Sequence, residues 1–149
     1  MHTFRNVLIA ADGSPPSRRA AKAGIAFAKS LGARVTACYA MERALRGASA
    51  ERVFLGGAAL GAFEKRERAQ GAKHLARVAR QARAAHVPCD ADIVTAATVC
   101  DGIVAAARRR KCDVIFMGSR GRGEFAALIL GSVTREVLSH TRLPVVVYR

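Results

Sequence analysis

The sequence predicts an α/β fold, a single-domain doubly wound five-stranded parallel sheet with helices on both faces (Rossmann-like). Two observations predict it. Short apolar runs alternate along the chain with longer segments of helical pattern, and parallel strands joined by right-handed crossover helices satisfy that alternation. The 149 residues, 51% of them hydrophobic, are enough for one packed core. We therefore treat residues 1–149 as one domain.

The first half of the chain has clear boundaries up to residue 40. The apolar run NVLIA (6–10) is the first strand, and Ser14 is suited to cap a helix that runs to about Leu31 and closes at Gly32. RVTACYA (34–40) is the second strand. Residues 41–61 are rich in glycine and lack a clean period, so we expect a mobile connection there with at most a short helical piece.

The second half repeats the strand and helix pattern. Asp101 is the predicted cap of the helix that precedes the fourth strand. The predicted elements are a helix over about 62–86, a strand over 91–97, a helix ending near Lys111, a strand over 113–118, a helix over 132–140 and a last strand over 144–148.

Charge and targeting signals narrow the class of protein. No apolar run approaches the ~20 residues needed to span a bilayer, and the N-terminus has no signal-peptide pattern, so we expect a soluble cytoplasmic protein without a membrane partner. The net charge of +14 permits nucleic-acid binding. Aromatic residues are only 5%, however, and none alternate with arginines in the way that stacks bases. The four cysteines form no C-x-x-C pair, which favours reduced thiols.

Two of the predicted strands end in residues suited to an anionic ligand. The first strand ends at Asp12, and the fourth continues into GSRGRGE (118–124). Ligands of doubly wound sheets bind beyond the carboxyl ends of strands where the strand order reverses. Consecutive N–H groups in a glycine-rich loop form an anion-binding concavity, and Gly131-Ser132 begins a helix whose dipole favours the same charge. The pattern predicts one phosphate-binding crevice, with a plain tight turn and helix start as the alternative.

Side chains of this region suggest separate tasks. Arg120 and Arg122 add positive charge at the mouth, and the hydroxyls of Ser132 and Thr134 are expected to donate hydrogen bonds. Asp12 repels phosphate and is better placed for a ribose hydroxyl or a magnesium ion. The glycine spacing fits neither the dinucleotide fingerprint nor a Walker loop.

The spacing Gly118-x-x-Gly121, nine residues and then Gly131-Ser132 resembles the nucleotide-binding signature of the universal stress protein family. NVLIAADGS, CDVIFMGSRGRG and GSVTREVLSHTRLPVVVYR also resemble this family, so the resemblance covers nearly the whole chain. It implies strand order 3-2-1-4-5, ATP as ligand with Mg²⁺, a setting in stress response, and a homodimer paired through the last strand, Pro144 to Tyr148. An exposed apolar edge strand also needs covering on physical grounds.

The resemblance implies a set of cofactor-binding residues by position. Ala10 would lie beside the base, Ala40 would flank the adenine, and Asp12 would meet the ribose or the metal. The remaining implied residues are Met117 at the strand end, Gly118, Ser119, Arg120, Gly121, Arg122, Gly123 and Glu124 along the phosphates, and Gly131, Ser132, Val133 and Thr134 at the terminal phosphate. Two departures are AATVCDG before the third helix, and Ala40, which is smaller than the family's common valine.

No residue of the crevice is a convincing catalytic base. His140 is expected to cap carbonyls at a helix end, and Glu124 is a weak candidate. We therefore expect a nucleotide-dependent regulator with at most slow ATP hydrolysis and no catalytic residue. A nucleotidyl-transferring enzyme would need a Ser-Gly-Gly-x-Asp-Ser loop, which ADGSPP is not. The alternative is a basic nucleic-acid-associated protein of the same fold without bound nucleotide.

Overall fold

The computed structural model of the chain describes residues 3–43, 56–121 and 130–149. Within these ranges the strands are β1 (Asn6–Ala10), β2 (Arg34–Glu42), β3 (Cys89–Ala96), β4 (Val114–Gly118) and β5 (Val145–Tyr148). The helices are α1 (Pro15–Leu31), α2 (Gly56–Ala84), α3 (Val99–Arg109) and α4 (Ser132–His140).

The strands form one parallel sheet, and its order is β3-β2-β1-β4-β5, as expected. β1 lies between β2 and β4, with Ile9 opposite Ala37 on one side and Phe116 on the other. The chain leaves β1 in one direction along the sheet and reaches β4 in the other. The strand order therefore reverses between β1 and β4, which is where an open sheet of this kind has its crevice.

Both ends of α1 follow the local signals of the sequence. Ser14 is the N-cap, and its Oγ accepts a hydrogen bond from the backbone N–H of Ser17 at 3.3 Å. Prolines occupy the first two helical positions, where a missing N–H costs nothing. Gly32 ends the helix with a left-handed φ of 64°. The predicted caps of this helix are confirmed.

Each face of the sheet is covered by two helices. α1 and α2 enclose one core cluster with residues such as Ile25, Tyr39 and Leu75. α3 and α4 enclose a second cluster on the opposite face, with Leu8, Ile103 and Val137. The central strand β1 contributes to both clusters, because successive side chains of a strand point to opposite faces.

The expected loop at residues 41–61 is wrong at both of its ends. β2 continues to Glu42, and α2 begins at Gly56 rather than near residue 62. Glycine disfavours a helix by about 1 kcal/mol per residue, but each residue added to an existing helix gains a hydrogen bond without a new nucleation step. Composition alone therefore placed this boundary too late. The rest of that loop, residues 44–55, lies outside the described residues.

The cap of α3 also differs from the sequence prediction. Its N-cap is Thr98, whose Oγ1 accepts a hydrogen bond from the backbone N–H of Asp101 at 3.0 Å. Asp101 stands in the first helical turn, where its negative charge complements the helix dipole. The two residues thus divide between them the role that the sequence assigned to Asp101 alone.

The structure also bears on membranes and cysteines. None of the helices in the described ranges combines the length and apolarity needed to cross a bilayer. All four cysteines are free thiols; Cys38, Cys100 and Cys112 are buried, and Cys89 is partly exposed.

Candidate functional site

A cavity of about 250 Å³ opens at the carboxyl ends of β1 and β4. β1, β2, β4 and the starts of α1, α3 and α4 all contribute to its wall. Ten of the predicted binding residues line it: Ala10, Asp12, Ala40, Met117, Gly118, Arg120, Gly121, Ser132, Val133 and Thr134. The fold therefore brings together residues that are up to 124 positions apart in the sequence.

One half of the cavity is apolar. Its walls come from Ala10, Cys38 and Ala40 on the strands, Met117 at the end of β4, and Ile103 on α3. A Cβ placed on Gly102 would lie only 2.9 Å from the Cβ of Ala40, so α3 approaches β2 closely at this wall. This approach partly fills the space left by the small side chain of Ala40. The result is a surface suited to the flat faces of an aromatic ring.

Asp12 is held in a fixed orientation in the polar half. Its Oδ1 accepts a hydrogen bond from the N–H of Ser14 at 2.8 Å, and its own N–H donates to the Oγ of Ser17 at 3.0 Å. Between them, Gly13 has a φ of 81°, a backbone conformation that favours glycine. A Cβ on Gly13 would also overlap the imidazole ring of His74. The turn after β1 is thus fixed by its own hydrogen bonds and by α2.

The backbone after β4 passes close to this carboxylate. A Cβ on Gly121 would lie 2.8 Å from Oδ2 of Asp12. A Cβ on Gly118 would lie 3.3 Å from the carbonyl oxygens of Pro16 and Arg120. Two of the predicted glycines therefore stand where neighbouring groups leave little room for a side chain, and the two loops face each other across the cavity.

Several predicted donors of the phosphate region already have protein acceptors. The N–H of Ser119 donates to the carbonyl of Tyr148 at 2.8 Å, and the N–H of Gly131 donates to the carbonyl of Ser119 at 2.6 Å. Neither residue lines the cavity. The hydroxyl of Thr134 donates to the carbonyl of Gly118 at 3.0 Å, so its proton is not directed at a ligand. These bonds instead fix the start of α4 against the end of β4.

The start of α4 is an anion-attracting feature of the wall. Its N-cap is Gly131, which makes no side-chain capping hydrogen bond. The N–H groups of a first helical turn have no acceptor within the helix. Those of Ser132, Val133 and Thr134 belong to this turn, and these residues line the cavity. The predicted residues Arg122, Gly123 and Glu124 lie outside the described residues.

The sequence reasoning missed several lining residues on β2 and the adjacent helices. Cys38 lies two positions before Ala40, so the alternation of side chains along a strand could have identified it. Burial raises the pKa of Cys38 to about 12, which keeps it a neutral thiol at ordinary pH. Tyr39 also lines the cavity, and its hydroxyl donates to Glu67 of α2 at 3.1 Å. No local pattern signals that contact, because its partner lies on another element.

The described residues offer few ligands for a metal ion. The part of the chain that the structure describes contains no group of three or more His, Cys, Asp or Glu side chains able to hold a metal ion. Among the described residues that line the cavity, Asp12 is the one with a carboxylate. His140, as predicted, lies against a helical carbonyl, with Nδ1 2.7 Å from the oxygen of Glu136.

Comparison with sequences identifies the relatives of this chain. The model of the universal stress protein family matches residues 3–149. A universal stress protein of Thermus aquaticus is 32% identical, over 98% of this chain and 99% of that protein. Another, from Methanocaldococcus jannaschii, is 28% identical over 98% of this chain and 82% of that protein.

Comparison with solved structures gives the same fold. A universal stress protein from Lactobacillus plantarum superposes with a TM-score of 0.76 and 19% identity, over the whole of both chains. A universal stress protein in complex with cAMP gives 0.71 and 20% identity, over 99% of each chain. One from Archaeoglobus fulgidus in complex with dAMP gives 0.67 and 16% identity, over 99% of this chain and 100% of that one. With the sequence match over nearly its full length, this chain belongs to the universal stress protein family.

Proposed function

We propose that the cavity binds an adenine nucleotide, ATP with Mg²⁺, and that the protein is a nucleotide-dependent regulator in stress response. The observation that carries the proposal is the continuity of an apolar cleft with the first turn of α4. A purine needs the first feature, and a phosphate chain needs the second. Two proteins of the same fold are complexes with the adenine nucleotides cAMP and dAMP, which supports the choice of base.

The proposed phosphate site combines backbone N–H donors with a positively charged side chain. The N–H groups of Val133 and Thr134 belong to the first turn of α4, where the helix dipole is also positive. Arg120 also lines the cavity and supplies a full positive charge. Because Gly118 and Gly121 carry no side chains, the backbone between them can approach the ligand closely.

Asp12 suits a role beside the ribose and the metal. Magnesium is commonly held by one or two carboxylates together with phosphate oxygens and water. The fixed carboxylate of Asp12 meets that requirement without further protein ligands. When bound with ATP, the ion would offset the negative charges of the phosphates and of Asp12.

We infer binding with at most slow hydrolysis. Fast phosphoryl transfer to water needs a group that positions the water and others that stabilise the developing charge. Among the described residues of the wall, Asp12 is the carboxylate, and its Oδ1 already accepts a hydrogen bond from the backbone. A site with these residues should bind ATP without hydrolysing it quickly. This suits a regulator whose activity depends on the nucleotide concentration.

We also infer a homodimer that pairs through β5, over Pro144 to Tyr148. β5 is an edge strand of the sheet, its valines are only partly buried, and Tyr148 is 40% exposed. Pairing with a second copy would satisfy the open backbone groups of that edge. Sedimentation equilibrium tests this inference, and a monomer at micromolar concentration would contradict it.

The nucleotide proposal is tested with a pair of glycine variants. Gly121→Val places a branched side chain against the carboxylate of Asp12, whereas Gly61→Val, on α2, meets no atom within 4 Å. The side chain introduced at position 121 should push the loop and the carboxylate of Asp12 apart, and so weaken Mg-ATP binding by about tenfold to a hundredfold, which corresponds to about 1.4–2.8 kcal/mol. Isothermal titration calorimetry measures the affinities, and analysis of small molecules released on denaturation identifies any copurified nucleotide.

The control variant Gly61→Val shows whether a loss of binding is specific to position 121. Gly61→Val should bind Mg-ATP as the wild type does. Circular dichroism checks that both variants are folded. If folded wild-type protein binds no adenine nucleotide at millimolar concentration, or if Gly121→Val binds as tightly as the wild type, the proposed site is wrong.

A further inference from the structure

The positive charge of this protein is concentrated on two of its helices. α1 contains four basic residues and no acidic residue. α2 contains seven basic residues and two acidic residues. Together these helices carry a net charge of +9 of the chain's +14. They cover the same face of the sheet, so the charge is concentrated on one side of the molecule.

Seven of the eleven exposed basic side chains of α1 and α2 form one stripe on each helix. On α1 they are spaced by four and then seven residues, and on α2 by seven, four and three. Residues at these spacings lie on one side of a helix. We call these residues the basic face: Arg18, Lys22 and Lys29 of α1 with Arg66, Lys73, Arg77 and Arg80 of α2, all of them exposed.

A small cleft between α1 and α2 shows that the two stripes meet. Arg18 and Arg77 both line it, together with His74 and Gln81. No carboxylate is among its lining residues. Two arginines on different helices therefore border one cleft that no carboxylate lines, an arrangement that attracts anions.

The basic face is also free of the ion pairs found elsewhere in the molecule. Within residues 3–43, 56–121 and 130–149, salt bridges join Arg34 to Asp90, and join Arg109 and Arg110 to Asp92. No member of the basic face takes part in them. Its seven charged side chains are exposed to water on helices whose other sides pack on the sheet, and these like charges repel one another.

We propose that the basic face binds the phosphate backbone of a nucleic-acid duplex, without base specificity and independently of the nucleotide cavity. From Arg66 to Arg80 the stripe on α2 extends about 21 Å at 1.5 Å per residue. A duplex carries one negative charge per about 1.7 Å of its axis, so a surface of this length meets many phosphates at once. Backbone contacts of this kind position a protein on a duplex but do not read its sequence.

The side chains around the basic face favour a duplex over a single strand or a membrane. Single-stranded nucleic acids are held by aromatic residues that stack on bases, and the basic face contains none. A membrane-surface helix needs a row of large apolar residues. Of the described residues, the exposed large apolar side chains are Phe63, Leu138 and Tyr148, and only Phe63 lies on α1 or α2.

The test compares two variants of equal charge. Lys73→Gln/Arg77→Gln/Arg80→Gln removes three charges from the basic face, and Arg108→Gln/Arg135→Gln/Arg142→Gln removes three exposed charges from elsewhere. Binding to a 25-base-pair DNA duplex of arbitrary sequence is measured by fluorescence anisotropy between 50 and 200 mM NaCl. We expect the wild type to lose affinity with a log–log slope of about −4 or steeper. The first variant should have a slope shallower by about 3 units. The control variant should keep a slope close to that of the wild type.

The other outcomes overturn the proposal. Equal losses in both variants would mean that net charge alone drives binding. Binding to phosphatidylserine vesicles without binding to the duplex would mean that the basic face serves a membrane. Absence of duplex binding at 50 mM NaCl would also refute it. Mg-ATP binding by the first variant is measured in parallel, so a failure here is distinguishable from a failure of the nucleotide proposal.

Discussion

The arginines at the end of α3 and those of the basic face have the same charge but different surroundings. Arg109 and Arg110 lie 2.5 Å and 3.2 Å from the same oxygen of Asp92, whose side chain is only 9% exposed. Arg18 and Arg77 share a cleft that no carboxylate lines. The first pair fastens α3 to β3. The second pair makes no such contact, so it contributes charge to the surface rather than stability to the fold.

Asp92 shows the difference in its titration. Burial by itself would raise the pKa of Asp92, but the hydrogen bonds and charges of Arg109 and Arg110 hold it below its usual value. Because the folded protein favours the ionised carboxylate, the ion pairs stabilise folding. The salt bridges given above for the described residues do not include the basic face, where removal of a positive charge should relieve repulsion.

The largest effect is expected from Asp92→Asn. The substitution leaves two arginines without their partner and a nearly buried amide in place of the charge. Breaking a buried pair costs about 3–5 kcal/mol and an exposed pair less than about 1, so a half-buried triad should cost about 2 kcal/mol. Urea denaturation measures the free energy of unfolding. Asp101→Asn, at an exposed position of α3, is the control and should change the free energy of unfolding by only a few tenths of a kcal/mol.

The acid limb of the stability profile should come partly from the same carboxylate. The pKa of Asp92 is lower in the folded state than its value of about 3.9 in an unfolded chain. Its contribution is therefore present above that unfolded value and is lost as the pH falls through the folded value. We expect the difference in unfolding free energy between wild type and Asp92→Asn to be constant from pH 7 to about pH 5 and to shrink below about pH 4. A difference that stays constant down to pH 2.5 would contradict this origin.

The smallest effect distinguishes the two arginine groups most directly. Arg77→Gln removes one of several like charges and should stabilise the protein by about 0.3 kcal/mol at low ionic strength. The gain should vanish in 0.5 M NaCl, where the charges are screened. The matched variant Arg109→Gln should instead destabilise the protein by about 1 kcal/mol. Equal effects of the two substitutions would remove the distinction drawn between the two regions.

Local signals were enough to predict most of the fold. Ser14 and Gly32 define the ends of α1 by backbone chemistry within a few residues, and both were predicted correctly. The start of α2 was not, because the glycines around residue 56 suggested a loop and the gain from extending a formed helix has no local signature. Thr98 and Asp101 were confused for a similar reason: both are good residues for a helix start, and only the three-dimensional structure shows which one accepts the hydrogen bond.

The site was predicted in outline but not in its hydrogen bonds. The glycine spacing located the loop after β4, and the sheet order brought it to Asp12. The sequence did not show that the N–H groups of Ser119 and Gly131 would be used within the protein, because their acceptors, the carbonyls of Tyr148 and Ser119, lie 29 and 12 positions away in the sequence. Tyr39 and His74 were missed because each acts on a residue of another element.

Ser17 borders both the large cavity and the small cleft between α1 and α2. Its hydroxyl holds the N–H of Asp12. The first turn of α1 thus lies between the cavity and the cleft. A displacement of that turn would change the shapes of the cavity and the cleft together, so substitutions of Ser17 should alter the nucleotide cavity and the surroundings of Arg18 at once.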